Sequence, residues 1–132
     1  MITVLFACVH NAGRSQIAEA LFNQRADPAK ARAISAGTQP ADRVHPEVVA
    51  LMRESGIDLS GQRPRKLTES LAAQAQWLIT MGCGDECPVV PGASREDWPL
   101  PDPKGQPSEG VRTIVEEIDR RVSRMIDAQH WR

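Results

Sequence analysis

The sequence predicts an α/β domain with three layers, α/β/α, built on a parallel sheet. Short apolar and β-branched segments alternate along the chain with longer segments of helical spacing, and glycine or proline often stands between them. Strands that alternate with helices pair in parallel through right-handed crossovers, which place the helices on the faces of the sheet. In open sheets of this kind, ligands bind beyond the carboxyl ends of the strands. We therefore expect functional residues directly after the predicted strands.

Composition limits the possible functions. The 132 residues suffice for one domain, 1–132, with one hydrophobic core. A formal net charge of -1 and a pI near 6.3 give no electrostatic reason to expect nucleic acid or a membrane surface as a partner. The first apolar run is too short for a signal peptide or a membrane span, and no basic segment precedes it. Three cysteines, an odd number, favour thiol chemistry over a disulfide framework in a protein that we expect to be cytoplasmic.

The first predicted strand and the first predicted helix are joined by eight residues, which we call the anion loop: Cys8-Val9-His10-Asn11-Ala12-Gly13-Arg14-Ser15. Residues 2–7 have the apolar, β-branched character of a buried strand, and residues 16–22 are rich in helix formers with one apolar face. In such a turn the backbone N–H groups from Val9 to Ser15 converge, and the helix N-terminus adds about half a positive charge. The segment therefore predicts an anion-binding site.

Two side chains of the anion loop indicate catalysis. The planar guanidinium of Arg14 suits a tetrahedral oxyanion, and the positive field favours the thiolate of Cys8 as a nucleophile. Ser15 can donate to that thiolate, and Asn11 tolerates left-handed backbone and can brace the loop. We interpret His10 as a spacer. The alternative for Cys8 is a small buried apolar residue, which is the common role of a free cysteine.

The remaining elements follow in chain order. We predict a first helix that ends at Asp27-Pro28, a strand over 33–37 closed by glycine, and a helix over 44–55 with Pro46 at a first helical position. Residues 57–59 are either the start of a strand or an irregular edge. A short helix capped by Thr68 then runs through Ala75, followed by a strand over 76–81 and a last helix capped by Ser108. Residues 82–107 are predicted to be mostly loop, because six prolines and four glycines fall there. A loop of that length is usually functional.

Cys83 and Cys87 follow directly after a predicted strand. Because parallel strands present their carboxyl ends at one edge, we expect Cys83 on the same edge as Cys8. In a helical segment the two thiols would be about 6 Å apart, within reach of a disulfide after modest adjustment. Buried thiols or half of a metal site are the alternatives, but no nearby His or Cys completes four zinc ligands. We favour a redox pair and expect no bound metal.

Residues 98–103, Trp-Pro-Leu-Pro-Asp-Pro, hold one carboxylate between prolines. Proline on either side of Asp102 restricts the backbone. A protonated Asp102 could donate to a departing oxygen, which is the task of a general acid. The alternative is an ordinary Asp-Pro turn, and the spacing alone does not decide between them.

Together these motifs resemble one known family. The pattern resembles that of the low-molecular-weight tyrosine phosphatase superfamily. It consists of Cys8, five intervening residues, Arg14 and Ser15 near the start of the chain, and Asp102-Pro103 towards its other end. Four segments look more like its arsenate reductase branch: Asn11, Gln16-Ile17-Ala18-Glu19, Ser35-Ala36-Gly37 and Asp102-Pro103-Lys104-Gly105. The resemblance covers essentially the whole chain.

The resemblance implies a four-stranded parallel sheet flanked by helices, and the reduction of arsenate to arsenite with phosphate as a competitor. Cys8 is then the nucleophile that forms an arsenocysteine, Arg14 clamps the oxyanion and Asp102 is the acid. Cys83 and Cys87 would form a thiol–disulfide relay. The implied reductant is external, either thioredoxin or a small thiol with a glutaredoxin-like protein, and no bound cofactor is implied.

The chain departs from the family pattern in two places. Cys83 and Cys87 are closer in sequence than the second and third cysteines of thioredoxin-linked reductases usually are. Residues 81–85, Met-Gly-Cys-Gly-Asp, also resemble members that use a small thiol and a glutaredoxin-like partner, so the electron donor stays open. Some members bind potassium with an acidic residue near 64–66, where this chain has Pro64-Arg65-Lys66, and that basic segment argues against potassium.

Two other functions remain as alternatives. A low-molecular-weight protein tyrosine phosphatase would use the same loop, but those phosphatases usually carry tyrosines after the Asp-Pro pair. This chain has Lys104 and Gly105 there and no tyrosine at all, which favours a small inorganic oxyanion. The second alternative is a non-catalytic module that binds an oxyanion or arsenite, because three thiolates suit a soft ion. Such a module would not need Asp102.

Overall fold

The computed structural model describes residues 1–82 and 89–132. Its elements are, in chain order, β1 (Ile2–Cys8), α1 (Arg14–Arg25), β2 (Ala31–Gly37), α2 (Pro46–Glu54), α3 (Glu69–Ala72), β3 (Trp77–Thr80), β4 (Ser94–Asp97) and α4 (Ser108–Gln129). The strands form one sheet in the order β2-β1-β3-β4, and every neighbouring pair is parallel. The α/β class and the four-stranded parallel sheet are thereby confirmed.

The carboxyl ends of β2, β1 and β3 meet at one edge of the sheet. Cys8, the last residue of β1, pairs with Gly37, the last residue of β2. On the other side of β1, Ala7 pairs with Thr80, and the N–H of Met81 donates to the Ala7 carbonyl at 2.8 Å. The candidate nucleophile is therefore next to the chain that leaves β3.

Strand β1 is buried on both faces, so its alternate residues contribute to two cores. Val4, Phe6 and Cys8 pack with α1, α2 and α4 on one face, and Leu5 and Ala7 pack with the region of α3 on the other. A strand buried on both sides has a continuous apolar sequence. This explains why residues 2–7 were readily recognised as a strand.

Helix α4 is the longest described helix and covers α1 and α2. Its buried residues form one apolar stripe: Val111, Ile114, Ile118, Val122, Met125 and Ile126. The predicted cap is wrong, because Pro107 is the N-cap, Ser108 is already helical and no side chain caps this end. None of the described helices is both long and apolar enough to cross a membrane.

Two shorter helices begin as predicted. Pro46 occupies the first turn of α2, where its missing N–H costs no hydrogen bond. Thr68 caps α3 by accepting the Leu71 N–H at 3.1 Å. Helix α3 is nevertheless only one turn long and ends at Ala72.

The prediction of a loop is wrong for Ser94–Asp97, which form the edge strand β4. All four residues of β4 are exposed, so the apolar alternation that marks most strands is missing. The strand is fixed by backbone pairing with Trp77–Thr80. Residues 57–59 form neither helix nor strand, so of the two interpretations the irregular edge is correct and the strand start is wrong.

Candidate active site

The anion loop is held in place through its carbonyl groups. These accept hydrogen bonds from the segment after β2; the pairs, donor first, are Thr38–Cys8, Gln39–Val9, Ala41–His10 and His45–Ala12, with N···O distances of 2.8 to 3.2 Å. In a trans peptide the N–H points opposite to the C=O, so the N–H groups of the same peptides are directed towards the inside of the loop. Within residues 1–82 and 89–132, the N–H groups of His10 and Gly13 have no protein acceptor. Such inward N–H groups form an anion-binding nest.

The thiol of Cys8 lies inside this loop and is 2% exposed. Its Sγ is 2.7 Å from Ser15 Oγ and accepts the backbone N–H of Asn11 at 3.2 Å. The contact between Ser15 and Cys8 is the one that the sequence predicts. Two polar groups therefore surround a sulfur that the core otherwise encloses.

The amide of Asn11 fixes the direction of the Ser15 hydroxyl. Asn11 Oδ1 accepts the backbone N–H of Arg65 at 2.9 Å, which assigns the other amide atom as the NH₂ group. That NH₂ group donates to Ser15 Oγ at 2.8 Å and to Ser35 Oγ at 2.9 Å. Since Ser15 Oγ accepts there, its own proton is available for Cys8 Sγ. A hydroxyl that donates to sulfur stabilises a thiolate.

The backbone of Asn11 has the left-handed geometry that the sequence predicts, with φ of 50°. The buried Gln16 side chain supports it, because Gln16 Nε2 lies 3.2 Å from Asn11 O and 3.1 Å from Asn11 Oδ1. Gly37 packs directly under the loop, since a Cβ at this position would lie 2.5 Å from Val9 O and 2.9 Å from Asn11 N. Only glycine fits there without moving the loop.

Arg14 connects the anion loop with two other segments. It is the first residue of α1, and its Nη1 donates to the Leu100 carbonyl at 2.9 Å. Its guanidinium also lies against Gly82, where a Cβ would come within 2.5 Å of Nη1. Gly82 has φ of 95°, which few residues other than glycine adopt. The residue before Cys83 is therefore in contact with the predicted oxyanion clamp.

Asp102 belongs to residues 98–105, which we call the acid turn. Its Oδ1 accepts the Lys104 N–H at 2.9 Å, and its side chain is 42% exposed. On either side of Asp102 the acid turn touches the anion loop. Leu100 accepts from Arg14, and Pro103 packs on Gly13, where a Cβ would lie 2.7 Å from Pro103 Cγ. The carboxyl is thus placed beside the loop, with one oxygen bound by the Lys104 N–H and the side chain partly open to solvent.

The sequence reasoning missed His45 and the backbone of Arg65. His45 Nε2 lies 4.0 Å from Asp102 Oδ1, and Arg65 binds Asn11 across 54 residues of chain. Neither contact leaves a local signal, because each depends on how distant segments meet in the fold. The only hint is that His45 directly precedes Pro46, at the start of a predicted helix that follows the second strand.

Glu19 extends the polar network behind the loop. Burial raises the pKa of Glu19 above its ordinary value near 4.5. The positive charge of Arg65 and hydrogen bonds from the side chain and backbone of Ser35 act in the opposite direction, but burial is the larger effect. Because Ser35 Oγ also accepts from Asn11, Glu19 is linked to the anion loop through a single residue.

The other predicted residues are placed as follows. His10 does not contact the sulfur; its Nδ1 lies 3.1 Å from the Gln39 carbonyl, as a spacer would. Cys83 and Cys87 lie outside the described residues. In the part of the chain that the structure describes, no three His, Cys, Asp or Glu side chains are grouped so that they could hold a metal ion.

Comparison with known proteins identifies the family of this chain. The model of the family described as low molecular weight phosphotyrosine protein phosphatase matches residues 3–130. The chain belongs to this family.

Among the curated members of this phosphatase family are two relatives at 37% identity. One is named a putative arsenate reductase, from Halobacterium salinarum, and the match covers 92% of this chain and 89% of the relative. The other is named a glutaredoxin arsenate reductase, from Synechocystis, with 96% and 97% covered. Both matches extend over nearly the full length of both proteins.

Solved structures of the family show the same fold. The thioredoxin-dependent arsenate reductase of Corynebacterium glutamicum has a TM-score of 0.84 and 41% identity; the match covers 97% of this chain but 61% of that longer one. A structure described as an arsenate reductase in the phosphate binding state has a TM-score of 0.83 and 34% identity, with 97% and 98% covered. The recognised branch of the family, the arsenate reductases, is therefore well represented among the relatives.

Proposed function

We propose that this chain is an arsenate reductase, which reduces arsenate to arsenite. The observation that carries the proposal is the position of Cys8 Sγ, enclosed by an anion loop and 2.7 Å from a Ser15 hydroxyl whose proton is available to it. A nucleophilic sulfur under an oxyanion site suits attack on a tetrahedral centre. The names of the full-length relatives support arsenate as that centre.

In the first step, the Cys8 thiolate attacks arsenic and a sulfur–arsenic bond forms. One arsenate oxygen departs and takes a proton from Asp102, so it leaves as water or hydroxide. The guanidinium of Arg14 and the inward N–H groups of the loop hold the remaining oxygens. Arsenic remains As(V) in this arsenocysteine, and no electrons have yet been transferred.

In the second step, a second thiolate attacks the sulfur of Cys8. A disulfide forms, the sulfur–arsenic bond breaks, and its electron pair stays on arsenic, which leaves as arsenite, As(III). We propose Cys83 as the attacking thiol. Cys83 directly follows Gly82, the residue that contacts Arg14. Consecutive Cα atoms are about 3.8 Å apart, so the chain brings Cys83 close to the oxyanion clamp.

We propose that Cys87 then attacks Cys83 and releases Cys8 as a thiolate. The resulting Cys83–Cys87 disulfide is reduced by an external dithiol or thiol, so the chain needs no bound cofactor. Thioredoxin and glutaredoxin are both named for relatives of this chain, and a small thiol with a glutaredoxin-like protein is the second candidate route.

A phosphatase activity is the alternative, because a phosphocysteine at Cys8 would be released by water without any second thiol. The acid turn favours a small oxyanion as the substrate. A phosphotyrosine substrate would need an apolar wall directly after Asp102-Pro103, and this chain has Lys104 and Gly105 at those positions. A non-catalytic binding module is less favoured, because it would not need a carboxyl group beside the loop. Weak hydrolysis of an activated aryl phosphate is compatible with the reductase.

The test is arsenite release from arsenate by the purified chain with thioredoxin, its reductase and NADPH, compared with a small thiol and a glutaredoxin. Mass spectrometry after one turnover without reductant should show a Cys83–Cys87 disulfide. Arsenite release with Cys83 and Cys87 still reduced would refute the relay and leave the first step intact. Efficient phosphotyrosine hydrolysis without arsenate-dependent thiol oxidation would instead favour the phosphatase.

A further inference from the structure

His45 lies between the anion loop and the acid turn. Its backbone N–H donates to the Ala12 carbonyl at 2.8 Å, and its ring packs on Gly13, where a Cβ would lie 3.3 Å from His45 Cδ2. On the other side, His45 Nε2 is 4.0 Å from Asp102 Oδ1. The His45 side chain is 12% exposed, so it forms part of the wall beside the loop. One residue thus contacts both halves of the candidate site.

The position of His45 in α2 does not explain why it is a histidine. It is the N-cap residue of this helix, and its side chain makes no capping hydrogen bond. Asn, Asp, Ser and Thr are the residues that favour an N-cap, because their short side chains reach the free N–H groups. The imidazole is therefore directed to something other than the helix.

The environment keeps this ring uncharged near neutral pH. Burial lowers the pKa of His45 below its ordinary value of 6.5. The negative charges of Asp102 and Glu47 act in the opposite direction, and the positive charges of Lys104 and His10 lower the pKa further. An imidazolium would bind the carboxylate form of Asp102, which has no proton to donate. A neutral ring with its proton on Nε2 can instead donate to one carboxyl oxygen of Asp102, and the O–H on the other oxygen stays free for the departing oxygen.

We propose that His45 is a positioning residue for Asp102, whose carboxyl group it holds beside the anion loop through a hydrogen bond from the uncharged imidazole. The proposal rests on the proposed function, in which Asp102 is the acid. The 4.0 Å separation is longer than a hydrogen bond, so the proposal requires the Asp102 carboxyl to turn towards His45, against the Lys104 N–H that holds Oδ1 at 2.9 Å. Contacts of this kind are often long in the free enzyme and tighten with substrate.

The test uses His45→Asn, which supplies a better N-cap but an amide too short to reach Asp102. The matched control is His130→Asn, because His130 is exposed and has left-handed geometry at the end of α4, where Asn is well tolerated. We expect His45→Asn to slow formation of the arsenic–sulfur adduct about tenfold in single-turnover kinetics at pH 7, the effect of one lost hydrogen bond. Phosphate affinity and the control should change less than about twofold.

Three further readouts separate positioning from a merely structural role. In a variant that already carries Asp102→Asn, adding His45→Asn should not slow adduct formation further, because His45 acts through the carboxyl group that is then missing. His45→Gln, with a longer amide, should recover part of the rate. As the pH falls below the lowered pKa of His45, and not already at its ordinary value of 6.5, the rate ratio between wild type and His45→Asn should approach one, since the wild-type ring becomes protonated. Additive losses in the double variant, or a loss confined to phosphate affinity, would overturn the inference.

Failure of the proposed function gives a different result. If wild type forms no adduct with arsenate, or if Asp102→Asn forms it at the wild-type rate, the assigned reaction or its acid is wrong. If wild type reacts, Asp102→Asn is slow and His45→Asn reacts normally, only the role of His45 is wrong. Thermal unfolding of each variant checks that the fold is intact.

Discussion

The anion loop and the acid turn face each other but are built in opposite ways. The anion loop is buried: Cys8, Asn11 and Ser15 are at most 2% exposed, and four of its carbonyls are bound by the segment after β2. The acid turn has an exposed Asp102 and contacts the loop through Leu100 and Pro103. The sulfur in one half of the site is enclosed on all sides, whereas the carboxyl group in the other half reaches solvent.

This difference matches the tasks that we propose for the two halves. A nest that stabilises developing charge acts best when its dipoles are already oriented, because no reorganisation is then needed during the reaction. An acid must approach an oxygen, transfer a proton and withdraw, so freedom of the carboxyl is useful. Changes that move the backbone of the anion loop should therefore affect both binding and fold, and changes in the acid turn should affect chiefly the rate.

The largest effect is expected from Cys8→Ser. A serine hydroxyl is a far weaker nucleophile than a thiolate, so arsenite release should fall below detection while phosphate still binds. Arsenite release and phosphate calorimetry measure the two properties separately. Substantial turnover by this variant would show that the nucleophile lies elsewhere.

Asp102→Asn should slow adduct formation by about a hundredfold or more, because an amide cannot supply the proton. Phosphate affinity and the unfolding midpoint should stay near those of wild type, since the side chain is exposed and outside the core. Single-turnover kinetics and calorimetry on the same preparation separate rate from binding. Normal adduct formation would assign the acid to another group and would remove the proposed division of tasks.

Gly37→Ala should damage the anion loop without touching any reactive group. The added Cβ would lie 2.5 Å from Val9 O, so the loop must shift, at a cost of about 1–3 kcal/mol in the free energy of unfolding. Weaker phosphate binding should accompany this loss. The control is Gly61→Ala, where a Cβ meets nothing within 4 Å. Equal behaviour of the two variants in urea unfolding would contradict a tightly held loop.

The smallest effect concerns Glu19 and the pH dependence of stability. Its pKa is raised in the folded chain, so the folded state binds the proton more tightly and stability falls as pH rises through that range. Glu19→Gln removes this loss of stability with rising pH, because glutamine does not ionise. Relative to wild type, the variant should therefore gain more in unfolding midpoint at pH 7 than at pH 4. Exposed Glu116→Gln serves as the control and should show no such difference between the two pH values.

Sequence reasoning works where the determinants are local. The anion loop is eight consecutive residues between a strand and a helix, so its position, the left-handed Asn11 and the contact between Ser15 and Cys8 could be predicted. The parallel sheet followed from the alternation of elements. Only the resemblance to a known family, however, supplied the number of strands.

Other features could not be predicted, because they depend on contacts between distant segments. Asn11 is oriented by the Arg65 backbone, and Asp102 lies near His45 only because the acid turn returns to the loop. Strand β4 was missed because none of its side chains is buried, so backbone pairing alone defines it. The hydrophobic pattern carries no information about such an element.

The same exposed strand also determines how the sheet ends. In the described part of the chain no strand lies beyond β4, and an open edge offers backbone groups to which another chain could add. Three of the four residues of β4, Arg95, Glu96 and Asp97, are charged. A second strand would have to approach these charges closely, which disfavours aggregation through this edge. The residues that concealed the strand from sequence analysis thus act as gatekeepers for the folded protein.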